Sequence, residues 1–252
     1  MLNRNELDKY GPPGFHLAQK EKDYFQHWIL SYLSQSGFGG VFKGGTCLQK
    51  AFNLPRYSED LDFTLNDAKE PDWDALLSFL STAGFSGISL KKEEKTIADT
   101  VKLRFRGPLY NGKNISEGTV IMDFSKREKT LRDSNPIMIN PPYQDILPYQ
   151  IKVMDKTEIA AEKIRAIITR RSARDLFDLY FLLRQKIELD KHIIQKKMDY
   201  YSVNFEYKKF EGKIKELEKI WKNEMSTLTP NSLEYEDVKS FVLKEMKEIG
   251  NP

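Results

Sequence analysis

Hydrophobic periodicity changes character along this chain, and the change limits the folds open to it. The segments that read as alternating strands lie before residue 125, and beyond the proline-rich stretch 133–150 the pattern becomes helical. Asp60-Leu61-Asp62-Phe63-Thr64-Leu65 alternates strictly, with Leu61, Phe63 and Leu65 facing one way and Asp60, Asp62 and Thr64 the other. Val101, Leu103 and Phe105 alternate with Lys102, Arg104 and Arg106, and Thr119–Phe124 returns as a second, more buried strand. The spacing predicts a long-loop hairpin for this pair. Helical spacing covers 18–34, 71–83, 159–168 and 173–184, with further amphipathic helices at KIKELEKIWK and YEDVKSFVLKEMKEI. Asp155 followed by Glu158 has the form of a capping box, and Thr46 is a plausible cap for a short helix over 47–52. Pro136, Pro141, Pro142 and Pro148 mark 133–150 as the boundary region. The order, strands first and helices after, predicts an α/β (α+β) domain over 1–145 and a helical domain over 146–252.

Composition removes several function classes. One cysteine in 252 residues excludes a disulfide framework or a Cys-rich zinc module, and His16, His27 and His192 are too scattered for a histidine metal site. No run of about 18 apolar residues exists, so a soluble, cytoplasmic protein without a membrane partner is expected. Net charge is only +3, but it is unevenly spread. Residues 41–90 carry four basic and seven acidic side chains, and 91–135 carry eleven basic and seven acidic. An acidic cluster followed by basic stretches suits a metal site beside a phosphate-rich ligand, although a solvated mixed surface looks similar.

The chemistry concentrates in the acidic stretch. Residues two apart on a strand share a face, so Asp60 and Asp62 bring two repelling carboxylates side by side. Hard oxygen donors without Cys or His suit Mg²⁺ or Mn²⁺. Asp123, ending a buried strand, reads alone as a strand-end cap; beside Asp60 and Asp62 it completes a three-carboxylate set of the kind that serves phosphoryl or nucleotidyl transfer. Gly44-Gly45-Thr46 opens a helix after a short strand, where backbone N–H groups favour a phosphate, though the Walker spacing is absent. Lys163 lies in an apolar helix stripe, either as a snorkelling surface lysine or as a point charge for triphosphate oxygens. Arg174 and Asp178 have the spacing of an ordinary i,i+4 ion pair.

Taken together, Val41-Phe42-Lys43-Gly44-Gly45-Thr46 and Tyr57-Ser58-Glu59-Asp60-Leu61-Asp62-Phe63-Thr64 resemble the first motif of the AbiEii/AbiGii-type nucleotidyltransferase toxins, within the DNA polymerase β-like superfamily. Ile121-Met122-Asp123 resembles the second motif, with Ile121 where a lysine is frequent. The segments Ala161-Glu162-Lys163-Ile164-Arg165-Ala166 and Arg174-Asp175-Leu176-Phe177-Asp178-Leu179 resemble the third and fourth. The resemblance runs from about residue 18 to 184. It implies a nucleotidyltransferase fold, a mixed sheet flanked by helices with a carboxyl-terminal helical lobe. It also implies that Asp60 and Asp62 bind metal, with Asp123 as third carboxylate, and that Lys163 and Asp175 serve the active site. Gly44, Gly45 and Thr46, and with them Ser58 and Lys163, would contact the triphosphate. The implied activity is transfer of a nucleotide to an acceptor, tRNA ends among related members. With Mg²⁺ and an NTP, the acceptor hydroxyl is read as RNA or tRNA lying along the basic residues Lys102, Arg104, Arg106, Lys126 and Arg127, a solvated face being the alternative for those side chains. The biological setting would be abortive infection and phage defence, with a cognate antitoxin as partner. The alternatives are a non-catalytic nucleotide- or partner-binding protein on this fold, and a small-molecule nucleotidyltransferase.

Overall fold

The computed structural model describes residues 1–229 and 233–250, and these form two compact units. The first comprises Met1–Asn53, Tyr57–Lys129 and Ser134–Val153; the second comprises Leu54–Arg56, Thr130–Asp133 and the chain from Met154 onward. Among the described residues there are seven strands and ten α-helices.

A single mixed sheet organises the first unit. Its strands are β1 (Val41–Lys43), β2 (Leu61–Thr64), β3 (Ser86–Glu94), β4 (Ala98–Arg106), β5 (Gly118–Ser125), β6 (Asn135–Ile139) and β7 (Tyr149–Val153), in the order β3-β4-β5-β2-β1-β7-β6. The pairs β2–β5 and β1–β7 are parallel and the others antiparallel. The expected hairpin is β4–β5, with Val101, Leu103 and Phe105 fully buried. Helices α1 (Arg4–Tyr10), α2 (Leu17–Gln35), α3 (Gly44–Phe52) and α4 (Trp73–Thr82) belong to the same unit. Aromatic packing joins α2 to the sheet: the Phe25 and Phe105 rings stack at 3.7 Å, and Phe85 meets both edge-on. Each such side chain contributes about 1.5–3 kcal/mol by leaving water, so α2 is anchored chiefly by this cluster.

Three strands have no expectation behind them: β3 and β6 at the sheet edges, and β7 between β1 and β6. In β7, Tyr149, Ile151 and Val153 are buried and Gln150 and Lys152 exposed, directly after the proline-rich stretch read as a boundary. β3 is mostly exposed, so nothing forces its sequence to alternate. β6 includes Pro136, which on an edge strand sacrifices no interior ladder bond. The proline that suggested a boundary therefore stands inside a strand.

The second unit holds α5 (Lys156–Thr169), α6 (Ala173–Arg184), α7 (Lys191–Asp199), α8 (Tyr207–Glu216), α9 (Glu218–Met225) and α10 (Tyr235–Gly250). KIKELEKIWK is divided at Leu217 between α8 and α9. Asp155 caps α5 by accepting from the Thr157 N–H, but Glu158 does not close a capping box. Its carboxylate instead accepts from the N–H groups of Leu131 and Arg132 and pairs with the fully buried Lys197 at 2.8 Å. No described helix is long and apolar enough to cross a membrane.

Candidate active site

In the first unit, register alone lines up one row of polar residues. Lys43 on β1 pairs with Asp62 on β2, Asp62 with Asp123 on β5, and Asp123 with Thr100 on β4. Partners in register on neighbouring strands stand about 4.8 Å apart and present side chains on the same face. Asp62 and Asp123 are therefore adjacent carboxylates, both half-buried. The Thr100 hydroxyl donates to Asp123 Oδ1 at 2.6 Å, which fixes that carboxylate.

Asp60 sits immediately before β2. Its carbonyl accepts the Thr46 hydroxyl at 2.5 Å, so Thr46 is a brace for Asp60 rather than the cap of α3. The residue at the cap position is Lys43, whose side chain makes no capping bond. Two glutamines hold the preceding backbone. Gln49 Oε1 accepts from the Ser58 N–H at 3.0 Å, and Gln26 Nε2 donates to the carbonyls of Ser58 and Glu59 at 3.2 and 2.7 Å. Ser58 is thus buried under α2 and α3 contacts. Gln49 is itself fixed by Asp23, a fully buried carboxylate that also takes the Lys50 ammonium at 2.7 Å.

Gly44 adopts φ +76°, and a Cβ there would lie 2.2 Å from Asp62 Oδ2. Only glycine meets both demands, since the left-handed backbone disfavours other residues and the carboxylate fills the space. Asp62 therefore lies directly against the amino end of α3, where Gly45 and Thr46 are buried. Among the described residues, no three Asp, Glu, His or Cys side chains converge as a metal site. Asp62 and Asp123 are brought into register, while Asp60 is held by its backbone beside them. The donors are all carboxylate oxygens, which suits a hard divalent cation.

Lys163 and Asp175 lie in the second unit, within a chain of alternating charges. Arg56 clamps Asp178 with two bonds of 2.6 and 2.7 Å, and Lys163 Nζ bridges Asp178 at 2.7 Å and Asp175 at 3.0 Å. Arg170 closes the far end with bonds of 2.7 and 2.8 Å to Asp175. Lys163 is only 7% exposed, so it is not a snorkelling surface lysine. Arg174 is exposed and is not the partner of Asp178, correcting the i,i+4 expectation. Burial alone would raise the Asp175 carboxyl, but Lys163 and Arg170 outweigh it and hold it well below the usual range. Asp178 moves the same way: burial opposes, and Arg56 and Lys163 prevail. Lys163 is raised, its two aspartates outweighing burial.

Sequence reasoning missed Thr100, Gln26 and Gln49. Thr100 had a usable signal, since it is in phase with Lys102 and Arg104 on the polar side of β4. The glutamines had none, because their partners are backbone atoms 9 to 33 positions away.

Comparison with known proteins bears on the fold and the family. The fold is shared with MenT4, a nucleotidyltransferase toxin of Mycobacterium tuberculosis H37Rv, at a TM-score of 0.66 and 20% identity over 100% of this chain and 91% of that one. It is also shared with JHP933 of Helicobacter pylori, at a TM-score of 0.57 and 18% identity over 99% of this chain and 94% of that one. No relative is found among curated proteins. The fold is that of nucleotidyltransferase toxins. Residues 28–244 match the model of the nucleotidyl transferase AbiEii toxin family of type IV toxin–antitoxin systems, and the chain belongs to that family. It is a nucleotidyltransferase.

Proposed function

We propose that this enzyme transfers a nucleoside monophosphate from an NTP to an RNA hydroxyl, with tRNA as the favoured acceptor, in a Mg²⁺-dependent reaction. It would act in the cytoplasm as the toxin of an abortive-infection pair and be held in check by a cognate antitoxin. The observation that carries the proposal is the register of Asp62 with Asp123 on adjacent parallel strands, beside a glycine-opened helix.

Asp62 and Asp123, with Asp60 next to them, are the residues that would hold Mg²⁺ or Mn²⁺. Such an ion supplies charge neutralisation and a lowered pKa for the attacking hydroxyl. The backbone N–H groups at Gly44, Gly45 and Thr46 favour the triphosphate through the amino-terminal potential of α3. Ser58 is carried as a nucleotide contact at the same end. In the transfer, the acceptor oxygen bonds to the α-phosphorus, the bond to the β-phosphate oxygen breaks, and pyrophosphate leaves. Thr100 keeps Asp123 in a single orientation, so little reorganisation is needed as charge develops. For Lys163 and Asp175, support comes from the motif resemblance and from the buried network in which Lys163 bridges Asp175 and Asp178.

The test is incubation with each α-labelled NTP, Mg²⁺ and total RNA. Label entering RNA, and lost in Asp62→Asn, is the expected result. Label entering a small metabolite would replace the acceptor, and label transferred nowhere with NTP still bound would favour the non-catalytic alternative.

A further inference from the structure

The basic residues that the sequence grouped together are separated by the structure. Arg106 is drawn to Glu117 at 2.9 Å and over the Tyr110 ring at 4.8 Å. Lys126 is paired with Asp99. Neither lines the groove of about 560 Å³ that opens on β3, β4 and β5, whose polar walls are Ser89, Lys91, Glu93, Thr100, Lys102 and Arg104. Ile121, in register with Lys102, supplies the apolar side-chain lining. Lys102 and Arg104 have no hydrogen-bond or ion-pair partner among the described side chains. Lys91 has only an exposed contact of 3.4 Å to Glu93.

This groove continues the row that holds the carboxylates. Across the sheet, Lys43 and the amino end of α3 stand on one side of Asp62 and Asp123, and Thr100 stands on the other, followed by Glu93 of β3. Strand spacing and rise place the Lys102 Cα about 8 Å and the Arg104 Cα about 14 Å from the Asp123 Cα. The two ends of the row thus differ. One offers helix N–H groups and glycine, and the other offers unpaired cations along a trough.

We infer that this groove holds the single-stranded end of the acceptor RNA, with Lys102 and Arg104 neutralising backbone phosphates next to the reacting hydroxyl. The inference rests on the proposed transfer to RNA, and it adds where and how that RNA is gripped. RNA is favoured over an acidic protein segment because whatever enters from this side must be continuous with the hydroxyl presented at Asp123. The apolar side chain of Ile121 gives a base face somewhere to rest, while the charges take the phosphates.

The experiment compares the full-length protein with Lys102→Gln/Arg104→Gln and with the control Lys113→Gln, an exposed lysine outside the groove. Equilibrium binding to a single-stranded RNA is measured across a salt series, without turnover, together with KM values for RNA and NTP. The double variant is expected to bind RNA at least tenfold more weakly, with a salt slope smaller by about 1.4, the value for two lost phosphate contacts. Its NTP KM should be unchanged. RNA affinity and slope equal to wild type would overturn the groove. So would a raised NTP KM with RNA binding intact, which would make the groove the triphosphate's. If RNA binding weakens as expected but wild-type enzyme transfers no label to RNA, the groove stands and the transfer reading falls.

Discussion

Asp123 in the sheet unit and Asp178 in the helical unit are both carboxylates on regular elements, yet their surroundings differ in kind. Asp178 is fully buried between Arg56 and Lys163, and Asp175 one helical turn earlier is matched by Lys163 and Arg170. Asp123 is half-buried, stands in register with a second carboxylate, and takes one neutral hydroxyl from Thr100. A charge answered within the chain makes the fold depend on it. A charge left beside a like charge repels it, and on the proposed mechanism that repulsion is relieved by a cation from outside rather than by the fold.

The largest expected effect tests the sheet side of the contrast. Asp123→Ala should lower transfer roughly a thousandfold, the scale of losing charge stabilisation at a reacting centre, with the melting temperature unchanged or raised. A clear drop in melting temperature would show that Asp123 is structural and dissolve the comparison. Asp178→Ala tests the other side. It leaves Arg56 and Lys163 buried around an empty place, so urea unfolding should show a loss of about 3–5 kcal/mol. The same physics makes Lys163→Ala costly to stability, so any loss of activity there must be read against unfolding.

Acid should reach the two units in sequence. Burial, reinforced by Lys50 and opposed by Asp23, pushes His27 down to about 3. The unfolded chain therefore binds the extra proton first, and stability is lost as pH falls from about 6.5 toward 3. Asp175 and Asp178 have lowered values, so their contribution persists until pH falls below about 4, the unfolded carboxyl range. Segment-resolved hydrogen exchange should show α2 loosening at a higher pH than α6, with the difference removed in His27→Gln. Simultaneous loosening would contradict the assignment.

A smaller effect sharpens the site. Thr100→Val deletes one hydrogen bond worth about 1 kcal/mol, so kcat should fall by up to about tenfold, with RNA KM unchanged and rescue by Thr100→Ser. The smallest concerns Arg174→Ala, which should change unfolding free energy by less than about 0.5 kcal/mol, because the residue is exposed and Asp178 is held by others.

What could be read ahead of the structure follows from which forces are local. Asp60–Leu65 and Val101–Phe105 announce themselves because one face of each strand is buried and the other is not, and α6 matches its expected limits of 173 and 184. The first motif and Asp123 were legible as residues, and the parallel pairing that registers Asp62 with Asp123 was not, since it joins segments with no local signal. Edge strands β3 and β6 escaped because an exposed edge imposes no alternation, and β7 escaped because its five alternating residues follow directly on the proline-rich stretch. Thr46 and Glu158 were misplaced as a helix cap and a capping-box partner for one reason: short-range capping rules see nearby N–H groups, while both side chains bond to distant ones or to a distant carbonyl. Arg56 could not be foreseen as the clamp on Asp178, which lies 122 positions away.

That same parallel pairing sets a clock. Asp62 and its partner are separated by 61 positions, and a ribosome adding roughly 5–20 residues per second needs about 3–12 s to travel between them. Throughout that interval the nascent chain displays its glycine turn and first two aspartates without the strand that completes the row. β5 must then enter between β2 and β4, and β1 must still wait for β7, which ends at Val153. On the proposed mechanism the nascent chain lacks a complete row until Asp123 has been added and paired, and a regulator that recognises the assembled row has no target before then.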